Sequence, residues 1–128
     1  MSEPLNSLLI SEKDIARDAM TSVLQDLISV GKESGKIIPT AAFEKLDRNS
    51  KILVFLLGLH AASMLGVGNK IEASVDEISE VVGIDSKSVG EYVSRLKRKY
   101  LVRSDGGYSV PTEKLRLVCH HITSSRQL

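Results

Sequence analysis

Tryptophan is absent, and three tyrosines and two phenylalanines are the only aromatics among 128 residues. Aliphatic side chains must therefore fill any core, and a hydrophobic content of 42% is enough for one. Cys119 is the single cysteine, so neither an internal disulfide nor a cysteine-built metal cluster can form within one chain. That usage fits a reducing, cytoplasmic compartment. An excess of one charge is missing too: the net charge is +1, and any affinity for a polyanion must be local. No apolar run reaches the ~20 residues that cross a bilayer. The longest apolar segment, Ile52 to Leu65, spans fourteen residues and is interrupted by Gly58, His60 and Ser63. Met1 to Ile10 lacks the basic start and long apolar stretch of a secretion signal, and Met1 to Ser11 reads as poorly ordered.

What is present is helical periodicity. Ile15, Ala19, Met20, Val23, Leu24, Leu27 and Ile28 recur at three- and four-residue steps and predict one amphipathic helix from Glu12 to Val30. Gly31 to Lys36 then reads as a short linker. Thr40 is placed to cap a short helix through Leu46. Ser50 is placed to cap the long apolar helix, which Gly66-Val-Gly68 closes. Ser74-Val-Asp-Glu77 has the capping-box spacing, and Gly83 suits a left-handed helix stop. A further helix, capped by Asp85 or Ser86, runs to about Lys99 with Val89, Tyr92, Val93 and Leu96 inward. Tyr100 to Val102 and Tyr108 to Val110 read as two strands around the hairpin signal Asp105-Gly106. Pro111 ends the sheet, and Thr112 to Val118 predicts a last helical turn or two.

Helix, tight turn, helix and hairpin over Ser74 to Val110 have the layout of a winged helix-turn-helix. A small residue four positions before the turn glycine lets the two helices pack closely, and Ser79 and Gly83 stand in that relation. Ile84 follows the glycine, and Val89 lies six positions after it. The stretch Gly83 to Val102 resembles the recognition unit of MarR-like and ArsR-like transcriptional regulators. Leu96, Leu101 and Val102 match the family's approach to the wing, and Tyr100 stands where those families carry glycine. The resemblance covers about Ser50 to Val118. It implies a mainly helical winged helix-turn-helix domain with a small β-hairpin, preceded here by the amphipathic helix. It also implies sequence-specific binding of double-stranded DNA, as a transcriptional regulator.

Local charge points the same way independently. Between Ser86 and Arg103 stand Lys87, Arg95, Lys97, Arg98, Lys99 and Arg103 against Glu91 alone, a local net of +5. Cations neutralise phosphates, and short polar side chains permit close approach to base edges in the major groove. The candidate DNA contacts are Ser86, Lys87, Ser88, Glu91, Tyr92, Ser94, Arg95 and Arg98 on the helix of residues 86–99. Arg103 and Ser104 would act from a wing of residues 103–108, on the backbone or the minor groove. Glu91 is spaced to pair with Arg95. A run such as Lys97-Arg-Lys99 is also what a solvated helix end looks like.

Other residues invite chemistry and carry less. Cys119, His120 and His121 are consecutive and cannot converge on one ion, so no metal or cofactor is expected. His60 reads as a hydrogen-bonded residue at the core, and Cys119 as a small hydrophobe. No phosphate loop, carboxylate pair or nucleophile constellation is present, and the chain is not expected to be an enzyme. The expected organisation is an N-terminal helix and linker (1–36), the winged domain (37–118) and a flexible tail (119–128). The helix stripe offers a surface for a homodimer, in which case a chain cut after Lys36 should fold as a monomer. Folding back onto the long apolar helix is its alternative use. A winged-helix module that docks other proteins is the alternative function, and an accessory nucleic-acid protein of replication or repair a third.

Overall fold

In the computed structural model, which describes residues 12–68 and 70–126, one helix organises the rest. The stretch through Ser11, expected to be poorly ordered, lies outside the described residues. Helix α3 (Arg48–Met64) buries Ser50, His60, Ala62 and every residue from Ile52 to Gly58. A helix apolar on all sides needs cover on all sides. Helices α1 (Glu12–Leu24), α4 (Val75–Val82), α5 (Ser86–Leu96) and α6 (Leu115–Arg126) supply it, together with two hairpins, and a short helix, α2 (Ala41–Glu44), packs on the first of these. The chain is mainly helical, and the two small sheets among the described residues are separate antiparallel hairpins, β1–β2 (Ile28–Val30, Ile37–Pro39) and β3–β4 (Val102–Ser104, Gly107–Ser109).

The first hairpin corrects the expected Glu12 to Val30 helix. The chain turns after Leu24 and enters β1, where β-branched Ile28 and Val30 pair across to Pro39 and Ile37. Ile28 and Val30 fit a strand as well as the tail of a helical stripe, and the partner strand decides between them. Residues 31–36 are then a hairpin loop rather than a linker: the Gly31 amide donates to Lys36 O at 2.9 Å, and Gly35 takes φ +70°. Gly58 makes room for this hairpin on α3. A Cβ there would stand 2.7 Å from Ile28 Cδ1 and 3.2 Å from Ile37 Cδ1.

The C-terminal end is a second correction. Residues 119–126, expected as part of a flexible tail, continue α6, where Val118, Cys119 and Ile122 are buried beside Leu115; the last two residues of that expected tail lie outside the described residues. Helix α6 packs against both α1 and α3, and Arg126 grips Asp26 through two hydrogen bonds of 3.3 and 2.8 Å. Buried Ala16, Met20, Val23 and Leu24 join the same core, so the apolar stripe of α1 is covered within one chain. The boundary expected at residue 36 therefore runs through a continuous core, and so does the one at 118.

One helix start also differs from expectation. Asp47 is the N-cap of α3, three residues before Ser50, which lies buried inside the helix. Thr40 is the N-cap residue of α2, as expected, but its hydroxyl donates to Asp26 O and Leu27 O at 2.8 and 3.0 Å instead of accepting from the helix, tying α2 to the end of the α1 turn.

Candidate nucleic-acid interface

Helix α4 begins with the expected capping box: Ser74 Oγ accepts from the Glu77 amide at 3.2 Å, and Glu77 Oε1 accepts from the Ser74 amide at 3.1 Å. It stops at Gly83, whose φ of +73° turns the chain toward α5. The turn is locked from both helices. Ser79 Oγ donates to Ile84 O at 2.5 Å, and Ser86 Oγ donates to Asp76 Oδ1 at 2.8 Å. Asp85 then caps α5 by accepting from the Ser88 amide at 3.0 Å. That hydrogen bond holds the Asp85 carboxyl below its ordinary pKa, so the cap is charged at neutral pH.

With its start fixed, α5 presents two opposed faces. Val89, Val93 and Leu96 are buried, whereas Lys87, Glu91, Ser94 and Arg95 are exposed. The turns that follow expose Lys97, Arg98 and Lys99. Ser88 and Tyr92 are half-buried on the flank between the faces. The pairing of Glu91 with Arg95 is not formed; the Arg95 guanidinium instead lies over the Tyr92 ring, 5.3 Å from its centroid. Ser86 is exposed, with its hydroxyl engaged by Asp76.

The second hairpin stands beside α5. Its strands lie nearer the Asp105-Gly106 turn than expected, with Ser104 opposite Gly107 and Arg103 opposite Tyr108. Tyr100 and Leu101 are not strand residues, because their amides still reach back to Leu96 O at the end of the helix. Tyr100 is accommodated without positive φ, and its hydroxyl meets His121 Nδ1 at 2.9 Å on α6. Arg103 is exposed, 6.0 Å from the Tyr108 ring centroid, and Ser104 Oγ donates to Gly107 O at 3.4 Å. A backbone pair between Ala73 and Tyr108, at 2.9 and 2.8 Å, fastens the hairpin to the chain just before α4. Gly107 permits that approach, since any Cβ there would collide with the Ala73 carbonyl. No local signal in the sequence marks Ala73 as a third, one-residue strand.

Arg48 is the residue that the sequence did not single out. It sits at the start of α3, exposed, and its Nη1 donates to the Tyr92 hydroxyl at 3.3 Å. That hydrogen bond raises the Arg48 pKa above its usual value. Forty-four residues separate the pair, so only the packing of α3 on α5 brings them together.

The groups expected to be chemically quiet are held by specific contacts. His60 is buried and bonded through Nδ1 to Val110 O at 3.1 Å; because a carbonyl only accepts, Nδ1 carries the hydrogen. Among the described residues, no group of three His, Cys, Asp or Glu side chains is placed to hold a metal ion, and no helix is long and apolar enough to cross a membrane. Burial pushes the Cys119 thiol up to about 11 from an ordinary value of 9.0. A raised folded pKa stabilises the fold fully below the unfolded value, and that contribution disappears as pH rises through the folded one. Urea midpoints should therefore fall between pH 9 and 11 more steeply for the parent than for Cys119→Ala, and thiol reagents should label Cys119 only on unfolding. Rapid labelling of the folded chain at neutral pH would contradict this placement.

No family model, no curated protein and no solved structure matches this chain.

Proposed function

We propose that this chain is a winged helix-turn-helix protein that binds double-stranded DNA, with α5 in the major groove and the β3–β4 hairpin as the wing. The order α3, Ala73 strand pair, α4, α5, hairpin supports that architecture, as does the left-handed turn at Gly83. The observation that carries the functional reading is the division of α5. One face is locked into the core, and the other offers Lys87, Ser94, Arg95 and, past its end, Arg98. A rigidly seated helix with short polar and cationic side chains outward matches what groove insertion needs.

Arg103, at the exposed hairpin, is the proposed phosphate contact. Phosphate contacts add affinity without base preference, whereas base contacts discriminate. Arg103→Ala should weaken binding to all duplexes alike and lower the salt slope by roughly one unit. Lys87→Ala should cost about 1–3 kcal/mol and relax preference at one base position. Titration of both variants against a small set of duplexes at several salt concentrations checks the assignment. A uniform loss for Lys87→Ala would remove it from base contact.

Regulation of transcription by a homodimer remains part of the proposal through the family resemblance, because paired half-sites multiply the few contacts one such helix makes. The α1 stripe no longer supports pairing, since α3 and α6 already cover it.

A further inference from the structure

We propose that Arg48 and Tyr92 together form a clasp for one backbone phosphate of bound DNA, which makes the start of α3 part of the interface. The inference rests on the DNA-binding reading of α5 and adds a contact from a second helix to it.

The chemistry of the pair favours an anionic oxygen. Arg48 donates to the Tyr92 hydroxyl oxygen, so the hydroxyl keeps its own hydrogen free to donate. The guanidinium has five N–H donors, and this bond uses one of them. Exposed N–H and O–H donors are therefore held side by side, and the structure gives the Tyr92 hydroxyl no acceptor among the described residues. Arg95 over the same ring adds a second cation to the platform. Asp85 interacts electrostatically with Arg48, but its Oδ2 is engaged by the Ser88 amide and it forms no ion pair with the arginine. Arg48 thus keeps its charge available beside the middle of α5.

Position favours a phosphate rather than a base edge. Tyr92 occupies the half-buried flank of α5 that faces α3, not the outward face carrying Lys87, Glu91 and Ser94. When a helix lies in the major groove, its outward face meets the bases and its flanks meet the sugar–phosphate walls. A contact there positions the helix without reading sequence. A charge-assisted hydrogen bond to phosphate is of the strong kind.

The test is titration of a labelled random duplex by the full chain at several salt concentrations, with thermal melts as a check on folding. Tyr92→Phe removes only the hydroxyl and keeps the ring beneath Arg95. Arg48→Ala should weaken binding about tenfold or more, the loss expected of one hydrogen bond to a charged group. It should also lower the salt slope by roughly one unit on every sequence. Tyr92→Phe should weaken binding several-fold, and the double variant should lose less than the two single losses combined, because the groups share one phosphate. Parental affinity and slope in Arg48→Ala, or parental binding by Tyr92→Phe, overturns the clasp. If Lys87→Glu with Arg95→Glu still abolishes binding, the reading of α5 survives that failure. A parent that binds no duplex at low salt overturns both.

Discussion

A chain lacking residues 1–36 should not fold. The truncation removes α1 and β1, and with them the buried side chains of Ala16, Met20, Val23, Leu24, Leu27 and Ile28. Each large aliphatic is worth about 1.5–3 kcal/mol when buried, so the loss is about 10 kcal/mol. Small domains have a total stability of about 5–15 kcal/mol. The cut also leaves β2 without its partner strand, exposes the faces of α3 and α6 that α1 covers, and removes Asp26 from Arg126. Circular dichroism should show reduced helicity and no cooperative melt. A truncated chain that melts cooperatively near the parent temperature would mean that the N-terminal elements are an appendage, as the amphipathic stripe alone suggests.

That reversal shows where the sequence was informative and where it was not. Caps and turns are local chemistry, and in the α4–α5 unit they were legible: the Ser74–Glu77 box, the Gly83 stop and the Asp105-Gly106 hairpin lie where their residue types put them, and Asp85 was one of the two candidate caps of α5. The cap of α3 was not, because Ser50 is drawn into the core and Asp47 takes its place. The buried face of α5 was legible from spacing, because Val89, Val93 and Leu96 repeat at helical steps. Long-range partnerships were not. Ile28 and Val30 become a strand only because Ile37 and Pro39 come alongside, and Gly58, distant in sequence, admits that hairpin on α3. Val118, Cys119 and Ile122 form a helical stripe that His120 and His121 obscure, since adjacent polar residues look like a tail. Tyr100 and His121 settle each other's positions across α6. Arg48 had no local signature, for its partner is Tyr92 on another helix. The charge of the α5 face was countable in the sequence. Its organisation, with Arg95 held by a ring rather than by Glu91, depends on side-chain geometry.

Reversing two charges on α5 should have the largest functional effect. Lys87 and Arg95 are both exposed, and neither contributes to the buried face. Lys87→Glu combined with Arg95→Glu replaces two cations with two anions on the surface proposed to meet DNA. Each lost base contact costs about 1–3 kcal/mol, and the new repulsion adds to it, so affinity should fall at least about a hundredfold. Exposed substitutions of this kind change stability little, and the melting temperature should stay within about 4 °C of the parent. A large drop in melting temperature would show that Arg95 on Tyr92 is a structural contact first. Unchanged retention of duplex DNA would remove α5 as the contact surface, leaving a protein-docking role for the same face.

The most direct measurement is the affinity of the unmodified chain for random duplex DNA as a function of salt. Neutralised phosphates release counterions, so log affinity should fall linearly with log salt, with a slope of about −0.9 for each phosphate contacted. With Arg48, Arg98 and Arg103 available for phosphates, a slope of about two to three units is expected at accessible concentrations, and the doubly reversed chain should bind too weakly for a slope to be measured. A chain that shows no affinity for duplex DNA at low salt, or an affinity indifferent to salt, would contradict DNA binding as the function of this fold.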